Sequence, residues 1–211
     1  MNCPVCQSSV SEEFAQDKFR PYFKCSDCSL VYIPREFILK FDAEAERYEA
    51  HQNDERDEQY KKYLSQIVDG IKGTLKKNHR GLDFGCGKTT LLSKLIGEHG
   101  PTVDSYDLLF HPDIDIWSNK YDFIVLSEVV EHLSDPRRDL LKLAGLLNPQ
   151  GQIFIKTKLY PKDKIIFDQW FYKRDPTHVQ FFDLESLGQI ANILKMKGPK
   201  VLGTDLFQFN F

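Results

Sequence analysis

Two rhythms of apolar residues run along this chain and change over near residue 78. From about Asp54 to Lys77 the residues Tyr60, Tyr63, Leu64, Ile67, Val68, Ile71 and Leu75 recur at intervals of three and four. That is the spacing of one helical face, and it predicts a helix whose stripe packs on a sheet as core rather than as binding surface. Downstream, short apolar runs alternate with helical stretches. Residues 81–84 predict a strand running into a glycine turn, 89–98 a helix and 102–106 a second strand. The run Tyr121-Asp122-Phe123-Ile124-Val125-Leu126 is almost continuously apolar, as a parallel strand buried on both faces requires. A helix over 136–147, stopped by Asn148-Pro149-Gln150-Gly151, leads to a strand at 152–157. A last helix over 184–196 is ended by Gly198-Pro199, and residues 201–209 read as a closing hairpin. Strands alternating with helices predict an α/β fold, doubly wound around a mostly parallel sheet with a C-terminal hairpin.

The first forty residues follow neither rhythm. Their one strand-like run, Leu30-Val31-Tyr32-Ile33, stops at Pro34, and residues 41–58 are dense in Asp, Glu and Arg, as a solvated and partly helical connector would be. Cysteine explains the difference. Four of the five cysteines form two pairs, Cys3-Pro4-Val5-Cys6 and Cys25-Ser26-Asp27-Cys28, with eighteen residues between them. Paired CxxC turns present four soft thiolates to one Zn²⁺ at about 2.3 Å each, the pattern of a zinc ribbon. A segment this short has too little apolar material to fold alone, so the metal is expected to supply much of its folding free energy. Three blocks follow: a four-cysteine zinc ribbon over 1–40, a connector and packing helix over 41–78, and the α/β domain over 79–211.

With 211 residues, 41% hydrophobic and 28% charged, the chain falls among globular proteins. Its net charge of −3 gives no global field for nucleic acid, although it leaves room for a local basic patch. No apolar run approaches the roughly 18 residues of a membrane span, and Met1-Asn2-Cys3-Pro4 has no signal-peptide pattern. The expectation is a cytoplasmic protein with no membrane partner.

The densest chemistry lies at Leu82-Asp83-Phe84-Gly85-Cys86-Gly87, between the first strand and helix of the α/β region. Glycines there let the backbone approach a ligand at a helix N-terminus and the carboxyl end of the sheet. Asp107, at the end of the second strand, can accept hydrogen bonds from ribose hydroxyls. A phosphate loop needs a glycine at position 82, which is Leu82, and a dinucleotide loop needs one at position 90, which is Thr90. The Asp-x-Gly-x-Gly turn instead resembles the first motif of class I S-adenosylmethionine-dependent methyltransferases. The likeness extends to Asp107, to Tyr121 through Leu133 as strand four and its exit, and to Asn148 through Ile155 as strand five after a proline-glycine turn. It covers about residues 60–211.

The resemblance implies a Rossmann-like methyltransferase domain and S-adenosylmethionine as cofactor. Asp83 and Gly85 would flank the methionine end, Asp107 would hold the ribose, and Phe84, Leu108 and Ser127 would form walls. Cys86 and Gly87 complete the loop, with Cys86 a small packing residue unless it serves as a catalytic thiol. One departure is Thr89, where the family commonly has a third glycine.

Methyl transfer needs an aligned nucleophile and often a base. Glu128, Glu131 and His132 follow strand four, and His178 lies in the aromatic segment from Asp168 to Phe182, which would either close over substrate or cap the sheet. Glu128-x-x-Glu131-His132 with His178 also resembles the metal set of small-RNA 3′-end 2′-O-methyltransferases, which implies Mg²⁺ or Mn²⁺. Glu-His-Leu after strand four also occurs in metal-free relatives. The leading expectation is methyl transfer to a small or carrier-linked acceptor, since N-terminal zinc modules of this look also occur in deoxysugar methyltransferases. An RNA methyltransferase whose ribbon grips RNA is the alternative, and a catalytically inactive binding protein the third. Lys18, Arg20, Lys24 and Arg35 are balanced by Glu12, Glu13, Asp17 and Asp27, unlike a surface that tracks phosphates.

Overall fold

A computed structural model describes residues 2–49 and 55–211. Strands β4 (Arg80–Phe84), β5 (Thr102–Tyr106), β6 (Tyr121–Ser127), β7 (Leu147–Lys156), β9 (Lys197–Val201) and β10 (Leu206–Asn210) form one sheet in the order β5-β4-β6-β7-β10-β9. The first four are parallel, and β10 pairs antiparallel with both β7 and β9 as the expected hairpin. A second sheet, in the order β1-β2-β3-β8, joins β1 (Ser11–Gln16), β2 (Pro21–Cys25) and β3 (Val31–Tyr32) to β8 (Gln180–Phe181). Helix α1 (Phe41–Glu49) falls within the connector, and α5 (Lys164–Gln169) follows β7.

Alternation along β6 shows why its run is apolar throughout. Phe123 and Val125 face α2 (Glu58–Ile71) and α3 (Leu91–Gly97), packing with Leu64, Ile67, Leu92 and Ile96. Ile124 and Leu126 face α4 (Pro136–Ala144) and α6 (Leu184–Leu194), packing with Leu140, Leu143, Leu187 and Ile190. Both faces of the strand are therefore dry. The helices begin where the capping chemistry dictates. Asp57 accepts from the amides of Gln59 and Tyr60, Asp135 precedes Pro136, and Asp183 and Ser186 cap each other reciprocally. Among the described residues no helix is long and apolar enough to cross a membrane.

Several boundaries differ from the sequence expectation. The packing helix starts at Glu58, and Asp54, from which it was expected, lies outside the described residues. Helix α4 stops at Ala144 rather than 147, because Leu147 already pairs with Tyr121 and residues 148–151 are an irregularity within β7. Gly198-Pro199 does not end the last helix. That helix stops at Leu194 with Lys195 in the left-handed conformation, and Pro199 lies inside β9. An edge strand accommodates proline because one row of its amides needs no partner in the sheet.

The N-terminal sheet is not self-contained. Val31 pairs with Phe181 and Tyr32 with Gln180. Its core joins Phe14, Tyr22, Val31 and Ile33 to Tyr160, Phe167, Tyr172, Val179 and Phe181, with most ring pairs edge to face. Tyr160, Phe167 and Tyr172, which follow β7, thus serve as core for the N-terminal sheet.

Candidate active site

A cavity of about 750 Å³ opens at the carboxyl ends of β4, β5 and β6. Its floor is set by the turn that leaves β4. Gly85 adopts φ +79° and Gly87 φ +68°, which glycine reaches without steric cost. The amides of Gly85 and Cys86 both donate to the Tyr106 carbonyl, at 2.7 and 3.0 Å, and so tie the turn to the end of β5. Beside it the rings of Phe84 and Tyr106 stack 5.2 Å apart, and Trp117 meets both edge-on. Thr89, which stands in place of a third glycine, also lines the cavity.

Two carboxylates serve the turn differently. Asp83 is 1% exposed and accepts from the Ser93 hydroxyl at 3.1 Å, and burial pushes its carboxyl up to about 7. A cationic group bound nearby would draw it to ionise. Asp107 accepts from the amides of Leu109, Phe110 and Gly87 at 2.9, 3.1 and 3.0 Å. A carboxylate offers about four acceptor sites, so Asp107 retains capacity for a ligand hydroxyl while it fixes the loops on both sides.

The opposite wall begins at Ser127. Glu128 follows with φ +54°, unusual for a side chain of its size. Its carboxylate accepts from Tyr63 and Tyr172 hydroxyls, each at 2.9 Å, and these bonds offset a backbone cost of about 1–3 kcal/mol. Glu131 lies behind this wall, fully buried, accepting from Thr157 at 3.1 Å and hydrogen-bonded to the Tyr172 oxygen, whose own proton goes to Glu128. Burial, with the neighbouring negative charge of Glu128, pushes Glu131 up to about 8. His132 and His178 complete the wall, their rings 4.6 Å apart. Nδ1 of His178 is 2.7 Å from the Tyr172 carbonyl, and Nδ1 of His132 is 3.2 Å from the Thr177 carbonyl. A carbonyl only accepts, so each Nδ1 carries a proton and points away from the other ring nitrogen, Nε2.

Glu131 gives a stability test. An acid whose carboxyl is raised by folding takes up a proton more readily folded than unfolded. Its contribution is therefore favourable below the ordinary glutamate range near 4.5 and is lost as pH rises to about 8. Glu131→Gln, neutral at every pH, is expected to flatten that decline, which thermal melts of both proteins at pH 5, 7 and 9 measure. Parallel pH profiles would show that Glu131 is not the group responsible.

Asp83, Phe84, Gly85, Cys86, Gly87, Asp107, Leu108, Ser127, Glu128, His132 and His178 all line the one cavity, while Glu131 supports it from behind. Cys86 is half-buried and its thiol is pushed up, chiefly by burial, which disfavours the thiolate that a nucleophile needs. Sequence patterning missed Tyr60 and Tyr63. Both belong to the stripe expected to be core, yet both line the cavity, and the signal was two hydroxylated residues heading an otherwise aliphatic row. Trp170, Phe171, Phe181 and Phe182 do not line it.

The four paired cysteines converge elsewhere. Cys3 Sγ is 3.6 Å from Cys28 Sγ, and Cys6 Sγ is 3.5 Å from Cys25 Sγ, with all four within 4.8 Å of one another. Tetrahedral Zn–S bonds of about 2.3 Å require S···S separations of about 3.8 Å, so the donor set fits zinc. Glu131, His132 and His178 form a second group whose ligating atoms lie within 4.8 Å of one another.

Residues 55–192 match the family described as Methyltransferase domain. The ubiquinone biosynthesis O-methyltransferase of Coxiella burnetii (strain Dugway 5J108-111) is 30% identical in a 119-residue alignment that covers 46% of this chain and 48% of that protein. The tRNA U34 carboxymethyltransferase of Campylobacter curvus (strain 525.92) is 33% identical over 69 residues, 33% of this chain and 23% of that protein. The chain spans about half the length, or less, of these curated relatives. Among solved structures, the S-adenosylhomocysteine-bound CalO1, a methyltransferase in calicheamicin biosynthesis, superposes with a TM-score of 0.51 at 14% identity, over 70% of this chain and 53% of that one. That likeness speaks to the fold.

Proposed function

Since the chain belongs to the methyltransferase domain family, we propose that it transfers the methyl group of S-adenosylmethionine to a small or carrier-linked acceptor held beside Glu128, His132 and His178. The observation that carries this assignment is the cavity itself. It brings the glycine turn and Asp107 together with two imidazoles, each anchored through Nδ1 on a backbone carbonyl. Asp83, at the methionine end, would balance the positive charges of the cofactor, and Asp107 would accept from its ribose. His178, with Nδ1 anchored, would take the acceptor's proton as the methyl is transferred, worth about 10²–10⁴-fold in rate. The cluster of Cys3, Cys6, Cys25 and Cys28 would hold a structural zinc ion.

The same transfer with a divalent ion has one observation in its favour, the second ligand group at Glu131, His132 and His178. Activity abolished by chelation and restored by Mg²⁺ or Mn²⁺ would establish it, and activity indifferent to chelation would exclude it. RNA binding by the ribbon has less support. Arg20, one of its basic residues, is 7% exposed and committed to contacts inside the protein.

Calorimetry with S-adenosylmethionine tests the assignment. Asp107→Ala removes a charged acceptor worth about 1.5–3 kcal/mol, so affinity should fall about 10- to 150-fold. Wild-type protein that binds ATP but neither S-adenosylmethionine nor its demethylated product would overturn it.

A further inference from the structure

The two cavity histidines are both hydrogen-bonded to one short stretch of backbone. His178 is anchored on the carbonyl of Tyr172 and His132 on that of Thr177. Between those residues run Lys173, Arg174, Asp175 and Pro176, and three of the four carbonyls there meet one guanidinium. Arg20 donates through Nη2 to the carbonyls of Lys173 and Asp175, each at 2.9 Å, and through Nη1 to that of Pro176 at 3.0 Å. Its Nε donates to the Tyr22 hydroxyl at 3.1 Å. Four directed bonds from one planar group exploit the fork that distinguishes arginine from lysine.

Arg20 comes from the other end of the chain, in the hairpin between β1 and β2. That hairpin is itself fixed by Asp17, which accepts from the amides of Phe19 and Arg20 and from the Tyr22 hydroxyl. The Lys173 ammonium, 4% exposed, faces Asp17 at 3.5 Å and lies over the Tyr22 ring. Desolvating a guanidinium costs several kcal/mol unless its donors are satisfied, and here the loop carbonyls satisfy them. We infer that Arg20 is a positioning residue for His178 and His132, through which the cysteine-bearing N-terminal sheet sets the geometry of the acceptor side of the cavity. This rests on the proposed methyl transfer for its catalytic meaning, although the clamp can be tested without an acceptor.

The test uses the full chain labelled with ¹⁵N-histidine, with S-adenosylhomocysteine as the probe of the cofactor side. Long-range ¹H–¹⁵N spectra, assigned with His178→Gln and His132→Gln, should show both wild-type rings held in the Nδ1–H tautomer. Arg20→Lys keeps the charge but not the fork, and Arg20→Ala removes both. In each, the two rings are expected to relax to a mixture of tautomers while zinc content and S-adenosylhomocysteine affinity stay at wild-type values. With an acceptor in hand, kcat should fall about 10²-fold at unchanged KM for the cofactor. Folded Arg20→Lys protein whose histidine signals match wild type would overturn the inference. So would joint loss of zinc, cofactor affinity and histidine order in both variants, which would mark Arg20 as a general stabiliser. Wild-type protein that fails to bind S-adenosylhomocysteine would sink the methyl-transfer proposal instead, and the histidine comparison would still decide the clamp.

Discussion

Cys25→Ser is expected to release the metal from the N-terminal sheet and to unfold that sheet, not merely loosen it. Cys25 is fully buried and Cys3 is 1% exposed, as ligands of a closed structural site would be. Structural zinc bound by such a set is worth about 10–16 kcal/mol, comparable to or larger than the roughly 5–15 kcal/mol that holds a whole domain together. Against it stand three short strands of six, five and two residues, whose apolar core is borrowed largely from residues 160–181. Metal analysis should find about one zinc per wild-type chain and none in the variant. Amide exchange should show protection lost across β1, β2 and β3 and across β8, which pairs with β3, while β4, β6 and β7 stay protected. Stoichiometric zinc in the variant, or unchanged exchange in β1–β3, would refute the four-thiolate assignment.

Gly85→Ala should all but eliminate cofactor binding and lower the melting temperature as well. A Cβ built on Gly85 would lie 2.5 Å from Val129 Cγ2, inside contact distance of a residue that is itself buried. Forcing the two apart costs about 1–3 kcal/mol as overpacking. Holding an alanine at φ +79° adds about 1–2 kcal/mol, and the turn can escape both costs only by moving the floor of the cavity. Gly87→Ala is the control. It carries the backbone penalty at φ +68°, but its Cβ would meet no atom within 4 Å. Titration with S-adenosylhomocysteine should therefore rank wild type above Gly87→Ala above Gly85→Ala. Equal affinities for the two variants would mean that the contact with Val129 does not shape the floor.

The doubly wound sheet was legible because burial on both faces leaves an unmistakable run at Tyr121 to Leu126, and because Asp83, Gly85, Gly87 and Asp107 mark the turns at its carboxyl edge. The CxxC pairs were legible because their spacing is that of four thiols turned toward one point, and all four Sγ atoms do lie within 4.8 Å of one another. What could not be read was anything that depends on two distant segments meeting. Gln180 and Phe181 gave no sign that they complete a sheet begun at Ser11, since two residues carry no periodicity. Arg20 looked like one of several surface charges until three carbonyls more than 150 residues away closed around it. Tyr63 fitted a helical stripe, and only the left-handed backbone of Glu128 brings a carboxylate to its hydroxyl.

The strand pairing between β3 and β8 also orders events at the ribosome. Val31 leaves the exit tunnel about 150 residues before Phe181, and at roughly 5–20 residues per second that is an interval on the order of ten to thirty seconds. Throughout it, β3 has one edge open and Tyr22, Val31 and Ile33 lack most of the aromatic rings that will cover them. Metal capture by the four thiols needs only the first 28 residues and so can come first, holding the strands in register while the rest of the chain is made. A zinc ion held by these thiols would thus act on the nascent chain, before the strand that completes its sheet exists.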